Sequence, residues 1–180
     1  MQLSKKRFTS LLAATLLSTT LSASDVAGVV ELKYGIADGK ATSYVDTASD
    51  TTSALHLSFG AEQTNYNTRV LLNFKPLRWK DAKADLLSLS VDYIQSMNDK
   101  TQLFVGLGVG TMTYKAQDMK TTEIVYTTQV GANYALAENF YVTANINYVY
   151  TNGIRIEQSK YIYSELENLL GVEVGIGLRW

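Results

Sequence analysis

Cysteine is absent from this 180-residue chain, and there is a single proline, Pro76, and a single histidine, His56. Without cysteine there is neither a disulfide-stapled scaffold nor a thiolate metal centre. One proline and 12 glycines exclude a collagen-like or proline-rich chain. Neither sign of charge dominates: Lys+Arg 16 against Asp+Glu 17 leaves a net charge of −1, so the basic footprint of a nucleic-acid binder is missing. Beyond residue 24, no apolar run approaches the ~20 residues that a membrane-spanning helix needs. There is no Cys/His metal set, phosphate-cradling glycine loop or dinucleotide fingerprint, so neither cofactor nor metal is expected.

What the chain does have is a leader followed by alternation. Residues 1–24 read as a secretory signal, with Lys5-Lys6-Arg7, an apolar run from Leu11 to Leu17 and the small residues Ser22-Ala23-Ser24. Its removal leaves 13 cations against 17 anions, a net of −4, on one folded domain over 25–180.

From Val26 onward the dominant period is two, which is the period of a strand with unlike faces. Eight such runs occur. Their apolar faces begin with Val30/Leu32/Tyr34/Ile36, Leu55/Leu57/Phe59/Ala61, Thr68/Val70/Leu72/Phe74 and Leu87/Leu89/Val91/Tyr93. They continue with Leu103/Val105/Leu107/Val109, Ile124 through Tyr134, Phe140 through Tyr148 and Leu170 through Trp180. The opposite faces carry glycines and polar or charged residues. Among them Glu31, Lys33, Glu62, Arg69, Asp92, Glu173 and Arg179 form a candidate interior charge network. Tight turns are expected at 63–65, 96–100 and 135–139, and longer polar loops at 37–53, 75–85, 115–122 and 151–169. Short turns on one side and longer loops on the other are the habit of membrane barrels.

A soluble up-and-down barrel has the same period with its sense reversed, so periodicity alone does not decide. The aromatics do. Tyr66, Tyr93, Tyr134, Phe140 and Trp180 gather near the tight turns, and Tyr34, Phe74, Tyr126 and Tyr148 near the longer loops, as two girdles at two lipid-water interfaces would. A sheet in lipid must also close, because an open edge leaves backbone groups unsatisfied, so the first and last strands are expected to pair. The fold class is therefore all-β, an eight-stranded antiparallel up-and-down transmembrane β-barrel.

The stretches VEVGIGLRW at 172–180, VGLGVG at 105–110 and GANYALAENFYVTANINYVY at 131–150 resemble the small outer-membrane β-barrel superfamily, which includes opacity proteins and the membrane domains of outer membrane proteins A and X. The resemblance implies the outer membrane of a Gram-negative bacterium, with outer-membrane lipid and lipopolysaccharide around a monomer. It also implies that Val172, Val174, Ile176, Leu178 and Trp180 form a C-terminal signal read by the barrel assembly machinery.

Two constellations are candidates for chemistry. His56 and Ser58 lie one strand period apart and resemble the His-x-Ser element of outer-membrane lipid A deacylases. Those enzymes need the pair facing lipid, whereas the alternation here points it inward, with no acidic partner identifiable in the sequence. A histidine hydrogen-bonded in a polar interior is the better reading. The interior charges would form either a packed plug or, less favourably, a narrow solute path, since eight strands leave room for little besides side chains. Opposite charges on the first and last strands, Glu31 with Arg179 and Lys33 with Glu173, are the expected contacts. The functional expectation is an envelope structural or surface-interaction protein, not an enzyme; the alternatives are a low-conductance porin and a lipid A-modifying enzyme using His56 and Ser58. The mature chain should begin at Ser24 or Asp25, which the intact mass of envelope-fractionated protein checks; retention of Met1 refutes the leader.

Overall fold

A computed structural model describes residues 26–43, 46–79, 82–116, 119–158 and 161–180. Side chains are described for the same residues except 40–43, 46–50, 64, 157–158 and 161–163. The expected signal over 1–24 lies outside them. The described residues form β1 (Val26–Ser43), β2 (Asp46–Gln63), β3 (Thr68–Arg78), β4 (Ala82–Ser96), β5 (Thr101–Ala116), β6 (Met119–Ala137), β7 (Phe140–Tyr150), β8 (Ile154–Gln158), β9 (Tyr161–Leu166) and β10 (Leu169–Arg179).

Each strand from β1 to β6 pairs antiparallel with the next, and β10 pairs with both β7 and β1. Eight strands thus close on themselves, and the pairing runs from Val29 opposite Arg179 to Asp38 opposite Leu170. At the seam Gly28 and Trp180 exchange backbone hydrogen bonds of 2.9 and 3.1 Å. The Trp180 ring lies so close to Gly28 that a Cβ there would be 2.4 Å from it, so a larger residue would have to displace the ring.

The three tight turns fall where the sequence places them. In the turn after β4, the Asn98 carboxamide oxygen accepts the backbone N–H groups of Lys100 (2.9 Å) and Thr101 (2.8 Å), a local bond that asparagine side chains favour over continued strand. Asn67, in the connection before β3, takes a left-handed φ of 51°, a conformation that asparagine tolerates better than most residues.

All eight apolar faces point outward. Leu107 is 68% exposed, Val174 59% and Leu32 45%, and both aromatic girdles are on the same surface. Val172, Val174, Ile176, Leu178 and Trp180 alternate outward along β10, as expected. An apolar exterior around a polar interior is stable in hydrocarbon and unstable in water, so the barrel is a transmembrane one.

The longer connections differ from expectation. Strand pairing continues through them: β1 and β2 pair as far as Ser43 opposite Asp46, β3 and β4 to Arg78 opposite Lys83, and β5 and β6 to Ala116 opposite Met119. Pro76, at the start of the expected 75–85 loop, accordingly falls inside β3. The fourth connection holds the β8–β9 hairpin, and β9 takes over as the neighbour of β1 at Ala41–Ser43, beyond the end of β10. The cause is apolar burial at this end of the lumen. Ala37, Ala54, Leu77, Ala84, Leu86, Met112, Tyr114, Val125 and Val149 point inward here and, with Ile154, Ile156, Leu166 and Leu169, form a buried cluster. Below this cap the inner face carries the polar and charged residues, interspersed with a few buried apolar ones, Val29, Leu71, Ile94 and Phe104.

Leu107 is at mid-strand on the lipid face. Leu107→Arg should cost roughly 2–4 kcal/mol at the bilayer midplane, read as a lowered urea midpoint for barrels folded into lipid vesicles. An unchanged midpoint would mean that the face is wrongly assigned.

Candidate functional site: the filled lumen

Every member of the expected interior network points inward, but the structure divides it into levels and adds residues that the sequence did not suggest. At the tight-turn end Arg179 Nε lies 3.1 Å from Glu62 Oε2. The same guanidinium donates to Gln102 Oε1 at 2.5 Å and sits 4.6 Å from the Tyr141 ring centroid. Below it is a cavity of about 360 Å³ lined by Gln102, Asn133, Tyr141, Arg179 and the turn residues Ser96 to Lys100.

The next level is the most enclosed. Arg69 Nη1 is 2.6 Å from Glu31 Oε1, while its Nε and Nη2 donate to Asp92 Oδ2 at 3.0 and 2.7 Å. Lys33 Nζ holds the other Glu31 oxygen at 2.9 Å, and the Tyr141 hydroxyl donates to Glu31 Oε1 at 2.8 Å. Gln129 Nε2 donates to Asp92 Oδ1 at 2.6 Å, and the Arg69 guanidinium sits 4.8 Å from the Phe104 ring centroid. Two cations and two carboxylates make this level neutral, and their side chains are at most 1% exposed in the three ion pairs they form. Charges taken so fully from water are tolerated only with partners in good geometry.

Register explains how strands apart in the sheet meet. Tyr141, Gly177 and Glu31 are lateral neighbours across β7, β10 and β1, and the Tyr141 ring lies over Gly177, where a Cβ would be 2.2 Å from it. Asp92, Gly106 and Gln129 repeat the arrangement across β4, β5 and β6. An inward glycine between two polar residues leaves the gap through which they bond.

The expected contacts of Glu31 with Arg179 and of Lys33 with Glu173 do not form. Glu31 stands opposite Gly177, Lys33 opposite Gly175 and Gly35 opposite Glu173, so the shear separates each expected pair along the barrel. Glu173 instead belongs to a third level. There His56 Nδ1 is 2.8 Å from Glu173 Oε2, and Lys75 Nζ is 2.7 Å from Glu173 Oε1 and 2.9 Å from Asn147 Oδ1. His56 Nε2 lies 3.1 Å from both Ser58 Oγ and Asn73 Oδ1. The acidic partner of His56 that could not be identified in the sequence is Glu173, 117 residues away.

Ser58, His56 and Glu173 thus have the spacing of a nucleophile, a base and an orienting carboxylate. The surroundings are closely packed. Ser58 is 0% exposed, and the cavity beside His56 and Lys75 holds about 30 Å³, room for a water molecule and not for a lipid or an ester. Asn73 competes for the same imidazole nitrogen. Lys75 could have been identified from the phase of β3, since it alternates with Arg69, Leu71 and Asn73. Its position beside Pro76, at an expected loop, concealed it.

Arg69→Met should lower unfolding stability by about 3–5 kcal/mol, because it leaves Glu31 and Asp92 buried beside fewer cations. Adding Asp92→Asn to that variant should recover part of the loss. Denaturant titration of vesicle-inserted protein measures both; equal stability of wild type and Arg69→Met would remove the central pair from its structural role.

No protein-family model matches the chain, and no curated protein matches it in sequence. Solved structures do match. Neisserial surface protein A aligns at 17% identity with a TM-score of 0.61, over 85% of this chain and 97% of that one. The N-terminal β-barrel domain of Pseudomonas aeruginosa OprF aligns at 14% identity with a TM-score of 0.57, over 86% and 97%. Ail, the attachment invasion locus protein of Yersinia pestis, aligns at 16% identity with a TM-score of 0.50, over 85% and 99%. The chain has the fold of the small eight-stranded outer-membrane β-barrels.

Proposed function

We propose that this barrel is an integral outer-membrane protein of a Gram-negative envelope, that it is closed to solutes, and that it acts in envelope structure or surface interaction through its outer strand ribbons. The observation that carries this reading is the double closure of the lumen. A neutral layer around Arg69 fills the section beneath, and the apolar cluster around Met112 and Tyr114 fills the outer mouth. A solute would have to break buried ion pairs and then cross a packed apolar plug.

Catalysis is not part of this reading, because the Ser58–His56–Glu173 arrangement opens onto neither lipid nor a cavity of substrate size. The working form is a monomer in outer-membrane lipid and lipopolysaccharide, inserted by the barrel assembly machinery through the alternating Val172 to Trp180 segment. Nothing in the reading calls for a nucleic acid or a cofactor.

Two measurements test it. Purified protein in a planar bilayer should show no unitary current steps; reproducible steps that persist across preparations would favour the porin. On intact cells a membrane-impermeant thiol reagent should label a cysteine introduced by Glu167→Cys at the ribbon end and spare one introduced by Asp99→Cys in a tight turn. The reverse pattern would invert the orientation.

A further inference from the structure

The outward face of β3 to β6 carries a row of cations that the lumen does not explain. Arg78 stands opposite Lys83, Lys83 opposite Lys115, and Lys115 opposite Lys120, so four basic residues run side by side across four adjacent strands. Direct cross-strand neighbours of like charge repel, so such a row destabilises the ribbons unless an anion lies over it. Asp85, one step towards the membrane on the same face, pairs with Arg78 at 2.7 Å. Among the described residues no carboxylate pairs with Lys83, Lys115 or Lys120; the hairpin tips at 80–81 and 117–118 lie outside those residues.

The row is continuous with the lipid-facing surface. One step below, the Thr113 and Thr122 hydroxyls bond each other at 3.0 Å. Below them Phe74, Leu87 and Ile124 are exposed, at 43%, 46% and 64%. On β3, β4 and β6 the cation lies four residues beyond the apolar one, about 13 Å along a tilted strand, which carries it out of the hydrocarbon and into the polar headgroup region.

We propose that Arg78, Lys83, Lys115 and Lys120 form a headgroup site for a phosphorylated glycolipid of the outer leaflet. The ammonium groups and the guanidinium hold its phosphates, Thr113 and Thr122 meet its polar sugar, and its acyl chains lie against Phe74, Leu87 and Ile124. The order from apolar to hydroxyl to cation on one surface selects a lipid over a soluble polyanion, which would use the cations alone. This site rests on the outer-membrane reading given above and assigns residues to its lipid contact.

The test uses folded barrel in a nonionic detergent, titrated with diphosphoryl lipid A, dephosphorylated lipid A or inorganic phosphate, with the thermal midpoint as readout. For the wild type, diphosphoryl lipid A should raise the midpoint, and the other two should not reproduce the rise. The variant with Lys83→Gln, Lys115→Gln and Lys120→Gln should bind about tenfold more weakly or worse, and without lipid its midpoint should equal or exceed that of wild type because the repulsion is gone. Lys100→Gln, at the tight turns, should behave as wild type. If the triple variant is not recovered, Lys115→Gln should lose part of the response and Lys115→Arg should keep it. The site is refuted if wild type gains nothing from diphosphoryl lipid A, if the variant gains as much, or if inorganic phosphate suffices. A chain that folds and stays monomeric in detergent-free buffer would instead refute the membrane reading itself.

Discussion

Arg69 is enclosed on every side, and its guanidinium is held by Glu31 from β1 and Asp92 from β4. Arg69 stands on β3 directly opposite Asp92 and reaches past β2 to Glu31, so one side chain ties three strands of the wall together. Most of the interior follows from the need to keep that charge compensated. Lys33 and Tyr141 complete the coordination of Glu31, and Gln129 completes that of Asp92. Gly106 and Gly177 clear the approach of Gln129 and Tyr141. At the level of Arg69 the lumen has no room for hydration shells, so side chains take the place of water as hydrogen-bond partners.

The wall was legible in the sequence because lipid imposes a simple rule on it. Most outward positions in the membrane section, from Leu32 to Leu178, are apolar or aromatic, and a strand alternates faces strictly, so a period of two was enough to sort inside from outside. The seam between β1 and β10 was legible for a related reason, since closure is obligatory in a bilayer. Partners within the lumen were not legible, because they depend on shear. A stagger places Gly177 opposite Glu31, and with it Arg179 falls to Glu62 and Glu173 to His56 and Lys75. No local pattern records a contact between residues 117 apart.

The outer ends were misjudged for a different reason. Polar residues at 37–53, 75–85 and 115–122 suggested loops, yet Ala37, Leu77, Met112 and Tyr114 keep the inward phase of their strands and supply the apolar cap. The rule relating exterior and interior reverses at this level. Within the membrane section apolar residues face out and charges face in; above it the enclosed side chains are apolar, and Lys83, Lys115 and Lys120 stand on the outside. The chain is built for two solvents in succession, and the reversal marks where lipid gives way to water.

The ribbons formed by β1 with β2, β3 with β4 and β5 with β6 have their backbone hydrogen bonds paired internally and are anchored by a packed cap at the barrel mouth. A flexible loop must be ordered by whatever binds it, and that ordering subtracts from affinity. Here most of the conformational entropy has already been lost during folding. Under the proposed surface-interaction role, a partner seated on the described part of these ribbons would dock onto a preformed surface, with shape and charge pattern deciding what fits.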